Sequence, residues 1–370
     1  MLQCGTSLVL WDASYLWGLM AWRAINALGI PCGLVSAQEI AQGALIGKQC
    51  KLLIVPGGSA RLKAAALGMR GKEAIREWLD QGGIYLGFCG GAGLALTNDF
   101  LGICPWKRRT CKDRASGLIS GYLSAKADSR QILLPVWWPA RFEPDDGVDK
   151  VHILATFAGT GSDLWLGDRK ISNYQELPCG EPLIIRGAYG KGGYILSYAH
   201  LETPASTDAN SLLASMLEEY LAFSISQVNI PQWHISPDQG YEGISRNIYE
   251  LIQYGALLEL MYPRLPWLWG WRNPMPGIIL NHLLAMTCEL DQLGEASDNN
   301  WYEKAKDQIA DFAGKARPIM RSFAEFAGHA KHLERERSLI FGDPMRGGGM
   351  AGRILADLEC KLHEIITKSS

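Results

Sequence analysis

Gly83-Ile84-Tyr85-Leu86-Gly87-Phe88-Cys89-Gly90-Gly91-Ala92-Gly93-Leu94-Ala95-Leu96 is the stretch that decides the fold. Its first half is a short apolar run bounded by glycine, the pattern of a buried strand; its second half, built of small residues, reads as a turn and the opening of a helix. Cys89 stands at the junction. Glycines on either side let the backbone bend sharply and push the sulfur clear of the sheet. The helix N-terminus behind it favours negative charge, and so the thiolate. An elbow of this kind presents a nucleophile; the bland alternative is a buried structural thiol, the usual fate of a free cysteine.

A cysteine nucleophile needs a base, and the base needs a group to orient it. Far downstream, Gly190-Lys191-Gly192-Gly193 turns into the apolar run Tyr194-Ile195-Leu196-Ser197-Tyr198, which delivers His200-Leu201-Glu202. In open parallel sheets the strand ends share one edge where ligands bind. His200 is therefore the candidate base and Glu202 the candidate orienting carboxylate. His200 alone would read as a satisfied core histidine; its pairing with Glu202 behind a glycine-led strand favours the triad.

Outward from these two strands, residues 1–223 alternate. Ser7–Trp11 reads as a strand and Leu16–Leu28 as a helix. Extended stretches follow at Ile30–Val35 and Lys51–Val55, then a helix at Lys72–Gln81. Alternation of this kind predicts a parallel sheet with helices on both faces. The runs Gln131–Trp138, Val151–Phe157 and Leu183–Tyr189 predict further strands, and Asp208–Phe223 a closing helix. Residues 226–240, with Pro231 and Pro237 among polar neighbours, read as a linker. Beyond it helical patterns dominate: Tyr241–Met261, Gly277–Gln292 and Met350–Lys368, together with a stripe from Trp301 through Phe312 and Phe323 to Ala327, in which Pro318 predicts a kink. Residues 241–370 are accordingly expected to form a helical bundle.

Gly87-Phe88-Cys89-Gly90-Gly91 together with His200-Leu201-Glu202 resembles the triad of class I glutamine amidotransferase-like proteins. Leu52-Leu53-Ile54-Val55-Pro56-Gly57-Gly58, Ile75-Arg76 through Gly87, and Tyr189–Glu202 are similar, in order, to the amidotransferase-like domain at the N-terminus of biotin-protein ligases. Where many of those relatives have proline between histidine and glutamate, this chain has Leu201. The resemblance implies a flavodoxin-like, mainly parallel α/β sheet over residues 1–225. It also implies a Cys89-His200-Glu202 triad and an oxyanion hole built around Gly57, Gly58 and the amide of Gly90, with Ser59 as a weaker substrate contact. No cofactor and no metal are expected. The Gly-Arg-Gly-Arg type phosphate loop of a biotin ligase is absent, and Met345-Arg346-Gly347-Gly348-Gly349 is a poor substitute, so the chain is not read as a biotin ligase.

Composition narrows the rest. A net charge of −2 recommends neither nucleic acid nor an acidic membrane as partner. With 48% hydrophobic and 20% charged residues the chain has ample material for buried cores. The nine cysteines contain no Cys-x-x-Cys pair, which argues against metal or disulfide frameworks and for a reducing cytoplasm. Lys107, Arg108, Arg109, Lys112 and Arg114 form a basic run. Its ordinary reading is a solvated loop; its sharper one is a contact from Arg108 or Arg109 to an anionic part of the substrate. Trp267, Trp269 and Trp271 between Pro263 and Pro276 read either as packing or as a surface for a protein partner or a second copy. Three functional readings follow. The first is a cysteine hydrolase or amidotransferase-like protein acting on the amide or acyl bond of a small or peptide-like substrate. The second is a catalytically silent ligand-binding module whose helical half binds a protein. The third is a thiol sensor using Cys89 with Cys104 or Cys111.

Overall fold

A computed structural model of the chain describes residues 6–97, 100–109, 119–145, 151–172, 179–221, 224–237, 243–293, 299–325, 333–343 and 346–369. Cys111, Lys112, Arg114, Phe223, Ala327 and Met345 lie outside them. The chain divides into two compact units, Met1–Pro231 and Gln232–Ser370.

The first unit opens with β1 (Thr6–Leu10), α1 (Tyr15–Ala27), β2 (Cys32–Val35) and two short helices, α2 (Ala37–Ala41) and α3 (Ala44–Gly47). β3 (Cys50–Val55), α4 (Ala60–Asp80), β4 (Ile84–Phe88) and α5 (Gly90–Ala95) follow. Next come β5 (Lys107–Arg109), β6 (Ile119–Ala127), β7 (Arg130–Trp137), β8 (Arg141–Glu143), β9 (Val151–Leu166) and β10 (Arg169–Ile171). β11 (Pro182–Tyr189), β12 (Gly192–Ser197) and α6 (Thr207–Leu221) complete it. One sheet runs in the order β2-β1-β3-β4-β12-β11-β9-β6-β7, with β10 beside β9. From β2 to β12 every neighbour is parallel, as the alternation predicts. From β12 onward the strands are antiparallel.

Side-chain alternation gives the sheet two buried faces. Leu8, Leu10, Leu53, Val55 and Tyr85 share one core with Ile75, Trp78 and Leu79 of α4. The intervening Val9, Leu52 and Ile54 are equally buried and belong to the other face. α4 begins at Ala60, twelve residues before the predicted helix. Ser59 caps it by accepting from the Leu62 amide, and Gly68, at φ 57°, breaks its helical path midway, which is why only the second half carries a clear helical pattern. The ribbon β5–β8 and strand β6 were not predicted; β5 and β8 are three residues each, too short to show a period.

The second unit contains α7 (Ser245–Leu257), a hairpin of β13 (Met261–Leu265) and β14 (Leu268–Trp271), then α8 (Gly277–Leu293), α9 (Asn299–Glu325), α10 (Glu334–Phe341) and α11 (Gly349–Ser369). α9 continues past Pro318. Almost every described side chain of α8 from Gly277 to Leu290 is buried, the mark of a helix enclosed by its neighbours. The tryptophan segment is the hairpin: Trp267 and Trp271 are buried, and Asn281 of α8 bonds both the amide and the carbonyl of Trp269. Trp267 and Trp271 therefore pack within the second unit, while Trp269 between them is partly exposed. The expected linker is likewise only partly free, since Ile230, Trp233 and Ile235 are buried while Gln227, Val228 and Asn229 are exposed. Among the described residues no helix is long and apolar enough to cross a membrane.

Candidate active site

The site arises because β3, β4 and β12 are adjacent and parallel. Val55 lies beside Gly87 and Phe88 beside Ser197, so the residues that follow each strand leave the sheet at one edge. From β3 come Gly57 and Gly58, from β4 Cys89 and Gly90, and from β12 His200 and Glu202.

Cys89 has φ 45° and ψ −99° as the residue immediately before α5, a conformation that L-residues rarely adopt. It is held there by its amide donating to Ser197 O at 2.7 Å and its carbonyl accepting from Gly93 N at 2.9 Å. The side chain is 7% exposed, and its thiol donates to Trp137 O at 3.7 Å. Three glycines make the close approach. A Cβ on Gly91 would strike the Val55 carbonyl and one on Gly90 the Gly58 carbonyl, so the Cys89–Gly91 turn and the Gly57–Gly58 turn touch backbone to backbone. A Cβ on Gly57 would stand 2.8 Å from His200 Cε1.

His200 is fully buried, and its Nδ1–H donates to Glu202 Oε1 at 2.8 Å. Its other nitrogen, Nε2, has no hydrogen-bond partner among the described residues, and neither does Glu202 Oε2. Burial works against charge on the imidazole, yet Glu202 foremost and Cys89 second push its pKa up from 6.5 to about 10. Glu202 and Cys89 thus both favour the protonated ring. The turn that carries the pair is closed without proline: Thr203 N and Oγ1 both donate to His200 O, at 3.1 and 2.8 Å. Asn210 of α6 donates to the carbonyls of Leu201 and Thr203. Leu201 is buried in the core.

Several residues here carried no readable signal in the sequence. Trp17 of α1 packs its ring against His200, centroids 4.7 Å apart, and against Trp138 at 6.1 Å. Trp138, like Cys89, has a positive φ, 55°. Lys63 of α4 is completely buried; its Nζ donates to Asp12 O, Ala13 O and Ser14 Oγ at 3.2, 2.9 and 2.5 Å, and lies 3.9 Å from the place of a Cβ on Gly58. A lone lysine in a helix reads as a surface charge; only the fold turns it inward.

The remaining candidates are more dispersed. Ser59 is buried and its hydroxyl is engaged in the α4 cap. Arg109 and Lys107 are exposed on β5, whereas Arg108 between them is half-buried. Cys104 is fully buried in the core. Among the described residues no group of three or more histidine, cysteine, aspartate or glutamate side chains could hold a metal ion.

Residues 34–98, which include Gly57–Gly58 and Cys89–Gly90, match the family model described as biotin-protein ligase, N terminal. No curated protein matches the chain. Among solved structures, PurLQS from Thermotoga maritima is similar over 59% of this chain and 99% of its own, at 14% identity and a TM-score of 0.43. A glutamine amidotransferase from Thermotoga maritima is similar over 60% of this chain and 85% of its own, at 14% identity and a TM-score of 0.35. A β-galactosidase from Bacillus circulans sp. alkalophilus shares 60% of this chain but only 32% of its own length, at 12% identity and a TM-score of 0.35.

Proposed function

We propose that this protein is a cysteine hydrolase that cleaves an amide or related acyl bond. One observation carries the reading: a cysteine at φ 45° shares a sheet edge with a buried His200–Glu202 pair whose outer nitrogen is open. Sγ attacks the carbonyl carbon as the thiolate beside the protonated His200, whose Nε2 already holds the proton. The amides of Gly58 and Gly90, on turns that touch, receive the developing oxyanion; donors so placed supply about 3–4 kcal/mol each. Collapse of the tetrahedral intermediate breaks the C–N bond, and the Nε2 proton goes to the leaving amine. A thioester on Cys89 remains. Water, giving a proton to Nε2, attacks it and releases the acid, and sulfur leaves as the thiolate beside the protonated His200. Glu202 holds the imidazole with Nδ1 protonated throughout. The chemistry uses no cofactor and suits a reducing cytoplasm. Transfer of the released ammonia to an acceptor would require a separate synthetase chain, so hydrolysis is the simpler reading.

The test is the rate of alkylation at Cys89 against pH, mapped by peptide mass, in wild type and in His200→Ala. A Cys89 rate at pH 7 that falls at least tenfold on removing His200 supports the reading, and an amide screen would follow. A rate that ignores His200 leaves a ligand-binding fold without turnover in its place.

A further inference from the structure

Arg108 is a half-buried cation whose described neighbours do not account for its charge. It sits in the middle of β5, paired across the ribbon with Phe142 of β8. The pairing puts Arg108 on the face of Phe142, whose ring packs on Trp106 at 6.4 Å and on Tyr198 at 4.4 Å. The stem of Arg108 lies over α5, its Cδ 3.7 Å from where a Cβ on Gly93 would stand. Gly93 is one turn beyond Cys89, and its amide donates to Cys89 O. A helical turn advances about 5.4 Å.

Arg108 Nε is buried with no hydrogen-bond partner among the described residues, and so is Trp106 Nε1. The contrast with the same ribbon is sharp. Arg141 of β8 is neutralised by a two-point bond to Glu181, at 3.2 and 2.5 Å. No acidic side chain among the described residues pairs with Arg108. Buried donors without acceptors each cost about 1–3 kcal/mol, more when charged, and a guanidinium fork fits a carboxylate in two-point fashion. We infer that Arg108 anchors an anion subsite that takes a carboxylate on the substrate, about one helical turn along α5 from the bond that Cys89 attacks. This rests on the hydrolase reading and narrows it to amides of acidic molecules.

The test compares two alkylating agents with the same electrophilic carbon: N-chloroacetylglycine, whose carboxylate lies several atoms from that carbon, and its neutral amide. Rates at each cysteine are read by peptide mass, and the charged-to-neutral ratio removes differences in accessibility. At Cys89 of the wild-type protein the ratio is expected to exceed that at the exposed Cys179 by about tenfold, the value of one charge-assisted contact. It should fall to the Cys179 level in Arg108→Gln, be largely kept in Arg108→Lys, and stay unchanged in Lys107→Gln. A wild-type ratio at Cys89 no higher than at Cys179 overturns the subsite with no variant needed, as does an undiminished ratio in Arg108→Gln. The neutral reagent separates the two ideas. If it reacts at Cys89 in a His200-dependent way while the ratio is flat, only the subsite is lost. If it ignores His200, the hydrolase reading goes and the subsite with it.

Discussion

Gly57 shows how little room the site leaves. Adding one methyl group there would place a carbon 2.8 Å from His200 Cε1, inside van der Waals contact, with Trp17 closing the other side. The imidazole has to move, and a displacement of about 1 Å at a catalytic group can cost 10²-fold in rate. Gly57→Ala is therefore expected to lower His200-dependent alkylation of Cys89 at least tenfold while far-UV circular dichroism stays native. The His200–Glu202 pair also makes a pH signature. The imidazole titrates at about 10 in the folded chain, against about 6.5 when unfolded. Between those values the native state holds the extra proton, so stability falls as pH rises. The contribution of this pair is complete below pH 6.5 and gone above about pH 10. Melting temperatures taken from pH 6 to 10 should decline more steeply in wild type than in Glu202→Gln; parallel curves would mean that Glu202 does not hold the charge on His200.

Elements matter because they aim these residues. α4 supplies the buried Lys63, which binds the loop between β1 and α1 through three oxygens. Lys63→Met fills the same volume but leaves those acceptors without their donor. The expected loss is about 3 kcal/mol of unfolding free energy in urea titration, with His200-dependent alkylation of Cys89 reduced as well because the Gly58 turn rests on that loop. The same helix is interrupted at Gly68, whose φ of 57° is costly for an L-residue although nothing lies within 4 Å of its Cβ position. Gly314 of α9 has equal space and no positive φ. Gly68→Ala is expected to destabilise by about 1–3 kcal/mol, because φ 57° with ψ −164° is a region only glycine adopts readily, and Gly314→Ala to stabilise by about 0.5–1 kcal/mol. Equal shifts in the two variants would contradict the backbone path through α4.

At the scale of the whole molecule, the contact pattern separates residues 1–231 from 232–370, and the exposed Gln227-Val228-Asn229 leads up to the division. A broad-specificity protease at low ratio is expected to cut early within the exposed residues 226–229, leaving the fragments on either side resistant to further digestion; no early cut there would mean that this segment is held as firmly as the units. How much of this was legible differs from part to part. The strand Ile84–Phe88, the elbow at Cys89 and the His200–Glu202 pair were readable because short-range signals carry them: apolar runs, flanking glycines, a two-residue spacing. The parallel order of β1 to β4 followed from alternation along the chain. Lys63, Trp17, Trp138 and the orphaned face of Arg108 were not readable, since a side chain's burial and partners depend on which distant strand ends meet at the sheet edge. The β5–β8 ribbon and the β13–β14 hairpin were hidden for a related reason: three to five residues show no period, and pairing with a partner far along the chain, or across a turn, is what makes them strands. The sequence by itself determined the α/β alternation, the helical character of most of the second unit and the place of Cys89 at a strand-to-helix junction, because these rest on local backbone preference and hydrophobic period. Only the tertiary structure decided that His200 lies against Gly57 and Trp17 and that Arg108 is left without an anion among the described residues, because those follow from packing between residues that the chain order keeps apart.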